Sequence, residues 1–207
     1  MIPVRGGIRH RRNRHHLDRP RSVTAEERTA MAAELDRCRQ ELRRLVETTP
    51  PDQLRWGSDG TRWTNGQLLF HMVFGFLVVR RLLPLVRLVS RLPAPLGRGF
   101  ARLLDAAAGP FHVVNYLGSC GGALLFHGGR LAWLGDRVVT RLQADLRGET
   151  SEGLRRGMPF PTRWDPYFTA WMTIEDVYRY PVLHFDHHRS QLTVAGRGRR
   201  VHRGPAG

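Results

Sequence analysis

Lysine is absent from this chain: all 33 basic residues among its 207 are arginine. That absence reads as a trace of GC-rich coding, since phosphate-binding surfaces ordinarily use both cations. Cysteine is scarce as well. Cys38 and Cys120 are too few and too far apart for a disulfide framework or a thiolate zinc site, so a reduced, cytoplasmic setting is expected. No apolar run is long enough for a bilayer span. The strongest one, Leu68 to Val79, contains His71 and stops at Arg80 and Arg81, short of the roughly 20 residues a transmembrane helix needs. The first twenty-odd residues lack the apolar segment of a secretory signal. Strand-like alternation is missing throughout.

Acidic residues are outnumbered, and the formal charge is +15. Its location decides what it means. Residues 1–22 hold seven arginines against Asp18, a net +6, and residues 196–207 add Arg197, Arg199, Arg200 and Arg203. The stretch between them is left at +5, only mildly basic. Any affinity for nucleic acid or another anionic partner therefore belongs to the tails and not to a fold. Both tails, 1–22 and 196–207, read as disordered basic arms around one domain at 23–195.

Within that domain the apolar spacing is helical. Met31, Leu35, Cys38, Leu42 and Leu45 form a stripe at intervals of three and four, opened by Ser22-Val23-Thr24 and closed by Thr48-Thr49-Pro50-Pro51. Thr64-Asn65-Gly66-Gln67 has the form of a capping box and starts a second helix toward Leu88, with Pro84 as a point of kinking. Residues 91–118 form an insert with a short helical pattern at Arg98 to Ala107, and Gly118 to Gly122 reads as a turn. A third long helix is expected over about 123–147, burying Leu124, Leu131, Leu134, Val138, Leu142 and Leu146. The connection 148–172 reads as a long loop, rich in aromatics from Phe160 to Trp171. Thr173-Ile174-Glu175-Asp176 caps a last helix running to about Ala195-Gly196. The fold class expected is all-α, a four-helix bundle with a long insert between the second and third helices and a long loop before the fourth.

The last helix carries His184-Phe185-Asp186-His187-His188. Positions four apart on a helix differ by about 40° around its axis, so His184 and His188 can reach a common point off its surface. Imidazole suits zinc, nickel, copper or iron. His71, alone among apolar neighbours in the second helix, completes a three-histidine set between facing helices. His187 lies 100° away from His188 and is expected to point away, as an outer or surface group near the pocket. His184 with His187, three apart, is the alternative ligand pair. Pro181 falls three residues before His184 and is expected to disturb the helix there.

These elements resemble the DinB/YfiT-like family of four-helix bundle metalloenzymes. That family carries Trp-Ser/Thr at the start of its second helix, a histidine near that helix's middle, and His-x-x-x-His in its last helix. Here they are Trp63-Thr64, His71, and His184 with His188, and the run His184, His187, His188, Arg189, Gln191 matches a frequent family pattern. The resemblance covers roughly residues 25–195. It implies a divalent metal, zinc or nickel, held by His71, His184 and His188. It further implies an enzyme that activates a thiol or water toward a small electrophilic substrate. Some relatives use a low-molecular-weight thiol such as mycothiol or bacillithiol as S-transferases or isomerases, and relatives also form homodimers. The other function class weighed is a non-catalytic bundle whose basic arms bind nucleic acid or another anionic partner.

Around the three histidines, Gln191 shares the ligand face and either lines the pocket or ends a solvated helix. Gln67 sits one turn before His71, near the site, but as the capping-box residue it already has a structural task. Asp176 and Asp186 are candidate acceptors for an imidazole N–H, or plain surface carboxylates. Arg163, Trp164, Asp165, Tyr167 and Trp171 read as a lid or as an aromatic plug over the bundle's open end. Catalytic residues beyond the ligands have no signal in the sequence.

Overall fold

A computed structural model of the chain describes residues 23–194, all of them in one predominantly helical unit. The two basic arms, and with them the nucleic-acid reading, lie outside the described residues. Among the described residues seven α-helices follow in order, with one 3-10 turn at Gln53–Arg55 between the first two: α1 Ala25–Thr48, α2 Asn65–Val89, α3 Ala94–Ala106, α4 Ala108–Leu125, α5 Gly129–Gly148, α6 Ser151–Arg155 and α7 Ile174–Gln191. The only strands among the described residues are β1 Gly157–Pro159 and β2 Trp171–Thr173. Helices α1, α2, α5 and α7 form the bundle, with α1 against α5 and α2 against α7. The fold is all-α, as the apolar spacing indicates.

Three of the four bundle helices begin at complete capping boxes. Thr24 with Glu27, Thr64 with Gln67, and Thr173 with Asp176 each satisfy two of the otherwise unpaired N–H groups of a first turn. Helix α1 buries Met31, Leu35, Cys38, Leu42 and Leu45, the stripe expected from spacing. Burial pushes the Cys38 thiol up to about 12, which makes it an inert core group.

Helix α2 differs from a one-faced amphipathic helix. Leu68, Leu69, Phe70, His71, Met72 and Val73 are all buried in succession, which no single contact face can achieve. The second covering layer is α4, packed on α2 from outside the bundle. This corrects the expected turn at Gly118 to Gly122. Those glycines are helical, and two of them face α2: a Cβ on Gly122 would collide with the Phe70 ring, and one on Gly118 would touch Phe74. The third long helix correspondingly starts later than expected. The break comes at Gly128, whose φ of 51° lies in the left-handed region, and Leu124 belongs to α4 with its side chain in solvent. The outward face of α4 exposes Val113, Val114, Leu117, Leu124 and Leu125 and carries no charge.

The expected long loop before the last helix is also corrected. It holds α6 and then the antiparallel pair β1–β2, with Met158 opposite Met172 and both side chains buried. Strands of three residues are too short to display alternation in a sequence. The pair closes the excursion 160–170 at its base, so the aromatic segment is a tethered flap. Helix α7 ends at Gln191, a turn earlier than expected, and Pro181 sits inside it without ending it. Beyond its end, Thr193 is tied to the buried Asn65 of α2. The Asn65 side-chain amide donates to Thr193 Oγ1 at 2.9 Å, and its Oδ1 accepts the Thr193 N–H at 3.1 Å. Ion pairs from Arg37 to Asp186 and from Arg189 to Glu41 dock α7 onto α1.

Candidate metal centre

Helices α2 and α7 face each other, and their apposition brings His71 to His184 and His188. His71 and His184 are buried and His188 is partly so. The Nε2 atoms converge. His71 Nε2 lies 3.2 Å from His184 Nε2 and 3.2 Å from His188 Nε2, and the three ligand atoms lie within 4.8 Å of one another.

The outer ring nitrogens fix two tautomers. Ser119 of α4 donates its hydroxyl to the Asn115 carbonyl at 2.7 Å, so at 3.0 Å from His71 Nδ1 it accepts the Nδ1–H. His188 Nδ1–H donates to Gln191 Oε1 at 2.7 Å. Both imidazoles therefore aim an unprotonated Nε2 at the common point. Two such nitrogens 3.2 Å apart need a shared proton or a cation between them. Two of the three spacings suit a cation, since metal–nitrogen bonds of about 2.0–2.1 Å put neighbouring ligands roughly 3.0 Å apart at right angles and 3.3 Å apart in a tetrahedron. His184 and His188, within 4.8 Å, would have to draw together to share one at that bond length. The donor set fits a divalent ion of the zinc or nickel kind.

Electrostatics favour neutral rings. Burial, followed by the neighbouring His188, lowers His71 to about 3. Burial and then His71 drive His184 well below the ordinary imidazole range. Burial also lowers His188, with the Gln191 hydrogen bond opposing. Protons thus compete weakly for the lone pairs a metal would use.

Packing holds the rings. Trp63 stacks on His71 with centroids 4.2 Å apart and planes 28° apart. His184 is pressed against α2 at Gly75, where a Cβ would stand 2.6 Å from its Nδ1. Among the described residues that Nδ1 and the Trp63 indole nitrogen are buried without a hydrogen-bond partner.

A cavity of about 240 Å³ adjoins the histidines, walled by α2, α3, α4, α7 and the tethered flap. The flap is pinned at several points. Trp164 stacks on Phe111 at 3.9 Å and donates Nε1–H to the Leu104 carbonyl at 2.7 Å. Asp165 accepts the Tyr180 hydroxyl at 2.8 Å. Phe168 packs on Tyr180 with centroids 4.6 Å apart. The segment is thus a fixed wall. Trp171 is exposed and does not line the cavity, and the Arg163 backbone N–H is bound to Asp105.

Of the other residues singled out by sequence, Gln191 holds His188 and Gln67 serves the cap of α2. Asp176 is engaged in the cap of α7 and Asp186 in the Arg37 ion pair, so neither backs an imidazole. His187 was expected to point away, yet it lines the cavity, because the flap folds over that side of α7 and Tyr167 meets His187 Nδ1 at 3.1 Å. Ser119 and Gly75 had no place in the sequence reading. Gly75 could have been found one turn after His71, as the small residue that lets a second ring approach.

The family model of the DinB superfamily matches residues 34–192, which take in every residue of the centre. Comparison with curated proteins and with solved structures finds no match. With the match spanning more than half its length, the chain belongs to the DinB superfamily.

Proposed function

We propose that this protein is a divalent-metal-dependent enzyme whose ion is held by His71, His184 and His188 and whose substrate is a small electrophile received by the adjoining cavity. The observation that carries the reading is the convergence of three neutral imidazoles, two with fixed tautomers, at the wall of an apolar cavity. Three protein ligands leave coordination positions open, the pattern of catalytic rather than structural centres. A bound zinc or nickel ion supplies a Lewis acid that lowers the pKa of a water or of a low-molecular-weight thiol and so provides a nucleophile at neutral pH.

The chain's own residues do the remaining work. Ser119 and Gln191 hold the His71 and His188 rings in the tautomer that leaves Nε2 bare. Trp63 and Gly75 restrict the tilt of His71 and His184. The aromatic wall keeps bulk water from the reacting groups. His187 is the remaining imidazole of the cavity wall. Its Nδ1 lies 3.1 Å from the Tyr167 hydroxyl, and the two groups share one hydrogen bond there.

Metal analysis of the purified protein beside His71→Ala, His184→Ala and His188→Ala tests the reading. The expected result is about one zinc or nickel per chain in the parent and a loss of at least about tenfold in affinity in each variant, with helix content kept. Full occupancy in all three variants would overturn it.

A further inference from the structure

We infer that the cavity beside the three histidines takes an uncharged, largely apolar molecule of about one to two fused rings, and that its walls turn anions away. This rests on the reading of the site as a substrate pocket and names its substrate class. Size comes first. At about 240 Å³ the cavity exceeds the roughly 150 Å³ in which an apolar pocket already holds benzene. Shape and chemistry follow from the lining, which includes Phe74, Phe100, Phe111, Trp164, Phe168 and Tyr180. Flat aromatic walls of this kind pack best against another flat apolar body.

Charge makes the sharper argument. The chain has 33 arginines, yet among the described residues none lines this cavity. Sites for carboxylates or phosphates use arginine forks or lysines. Here the one ionisable carboxyl of the lining is Asp165, fixed by the Tyr180 hydroxyl and by the Tyr167 N–H at 2.9 Å. In the metal-free protein an anion entering would lose its hydration, find no cationic side chain on the walls and meet the Asp165 carboxylate. An ion on the histidines would offset this, so the preference of the walls is read with the metal removed. The way in is apolar too: Leu82 and Leu85 both line the cavity and reach solvent, with 37% and 38% of their surfaces exposed.

A matched pair of probes tests this, 2-acetonaphthone against 2-naphthalenesulfonate, which share the ring and differ in charge. Binding is measured by titration calorimetry, both to the protein as purified and after chelator treatment. The neutral ketone should bind the chelator-treated protein at least about tenfold more tightly than the sulfonate does, and metal loading should narrow that gap. Val78→Trp, which fills the cavity from α2, should weaken ketone binding by about tenfold or more. Leu82→Trp at the rim provides a second variant should Val78→Trp lose helix content. Equal or tighter sulfonate binding by the chelator-treated protein overturns the inference, as does an absence of ketone binding by folded protein or ketone binding untouched by the filling variants. A failure of the metal reading looks different: no metal at the histidines, with probe preference intact.

Discussion

Gly75→Ala tests the site's construction without touching a ligand. Gly75 lies in α2 one turn after His71, and the His184 ring rests directly on it. A methyl group there would stand 2.6 Å from His184 Nδ1 and 2.9 Å from Cε1. Ordinary contact begins near 3.4 Å, so the ring or the helix must give by about 0.8 Å. His184 has little room to move, being buried between α2 and the ring of Tyr180. Metal centres tolerate ligand displacements of about 0.2 Å, well under the shift required. The expected cost is about 10- to 100-fold in metal affinity, or roughly 1.4–2.8 kcal/mol. Overpacking adds about 1–3 kcal/mol of lost stability. Competition with a chelator of known affinity reads the first quantity and chemical denaturation of the metal-free protein reads the second. Metal affinity within twofold of the parent would refute the argument that Gly75 seats His184.

Three further outcomes follow from named contacts. Ser119→Ala removes the acceptor for His71 Nδ1–H and should weaken metal binding about 10- to 100-fold, measured by the same competition, while Ser119→Thr retains much of it. Glu41 is held at about 2, chiefly by the hydrogen bond from Arg44 and also by Arg189 with burial opposing, so its folded value lies below its ordinary 4.5. The stability it contributes is complete above pH 4.5 and is lost as pH falls toward 2. Because its partners are partly solvated, that contribution is about 1 kcal/mol, and Glu41→Gln should flatten acid unfolding over that window. Gly122→Ala drives a methyl group into the Phe70 ring and should destabilise the fold by about 1–3 kcal/mol in urea unfolding, whereas Gly121→Ala, with open space around it, should be neutral or stabilising.

What could be read without coordinates was local. The starts of α1, α2 and α7 are written in threonines followed three residues later by Glu, Gln or Asp, and all three boxes form. The α1 stripe and the His184/His188 pair follow from helical period alone. Parts that depend on a neighbour were not legible. Helix α4 hides behind glycines that resemble turn residues and act as contact surfaces for Phe70 and Phe74. The β1–β2 pair leaves no period in three residues per strand. On a helical wheel His187 turns away from the ligand pair, and only the flap carrying Tyr167 brings it to the cavity wall. Ser119 reaches His71 from 48 residues away, a pairing that no spacing rule encodes.

The central claim is that three imidazoles, bound through Nε2, hold one divalent ion. X-ray absorption at the metal edge of the protein loaded with one equivalent of zinc tests it most directly. The account predicts three imidazole scatterers at about 2.0–2.1 Å, completed by a light oxygen or nitrogen atom, with one imidazole fewer in His71→Ala. A sulfur shell from Cys38 or Cys120, or an imidazole count unchanged in His71→Ala, would contradict it.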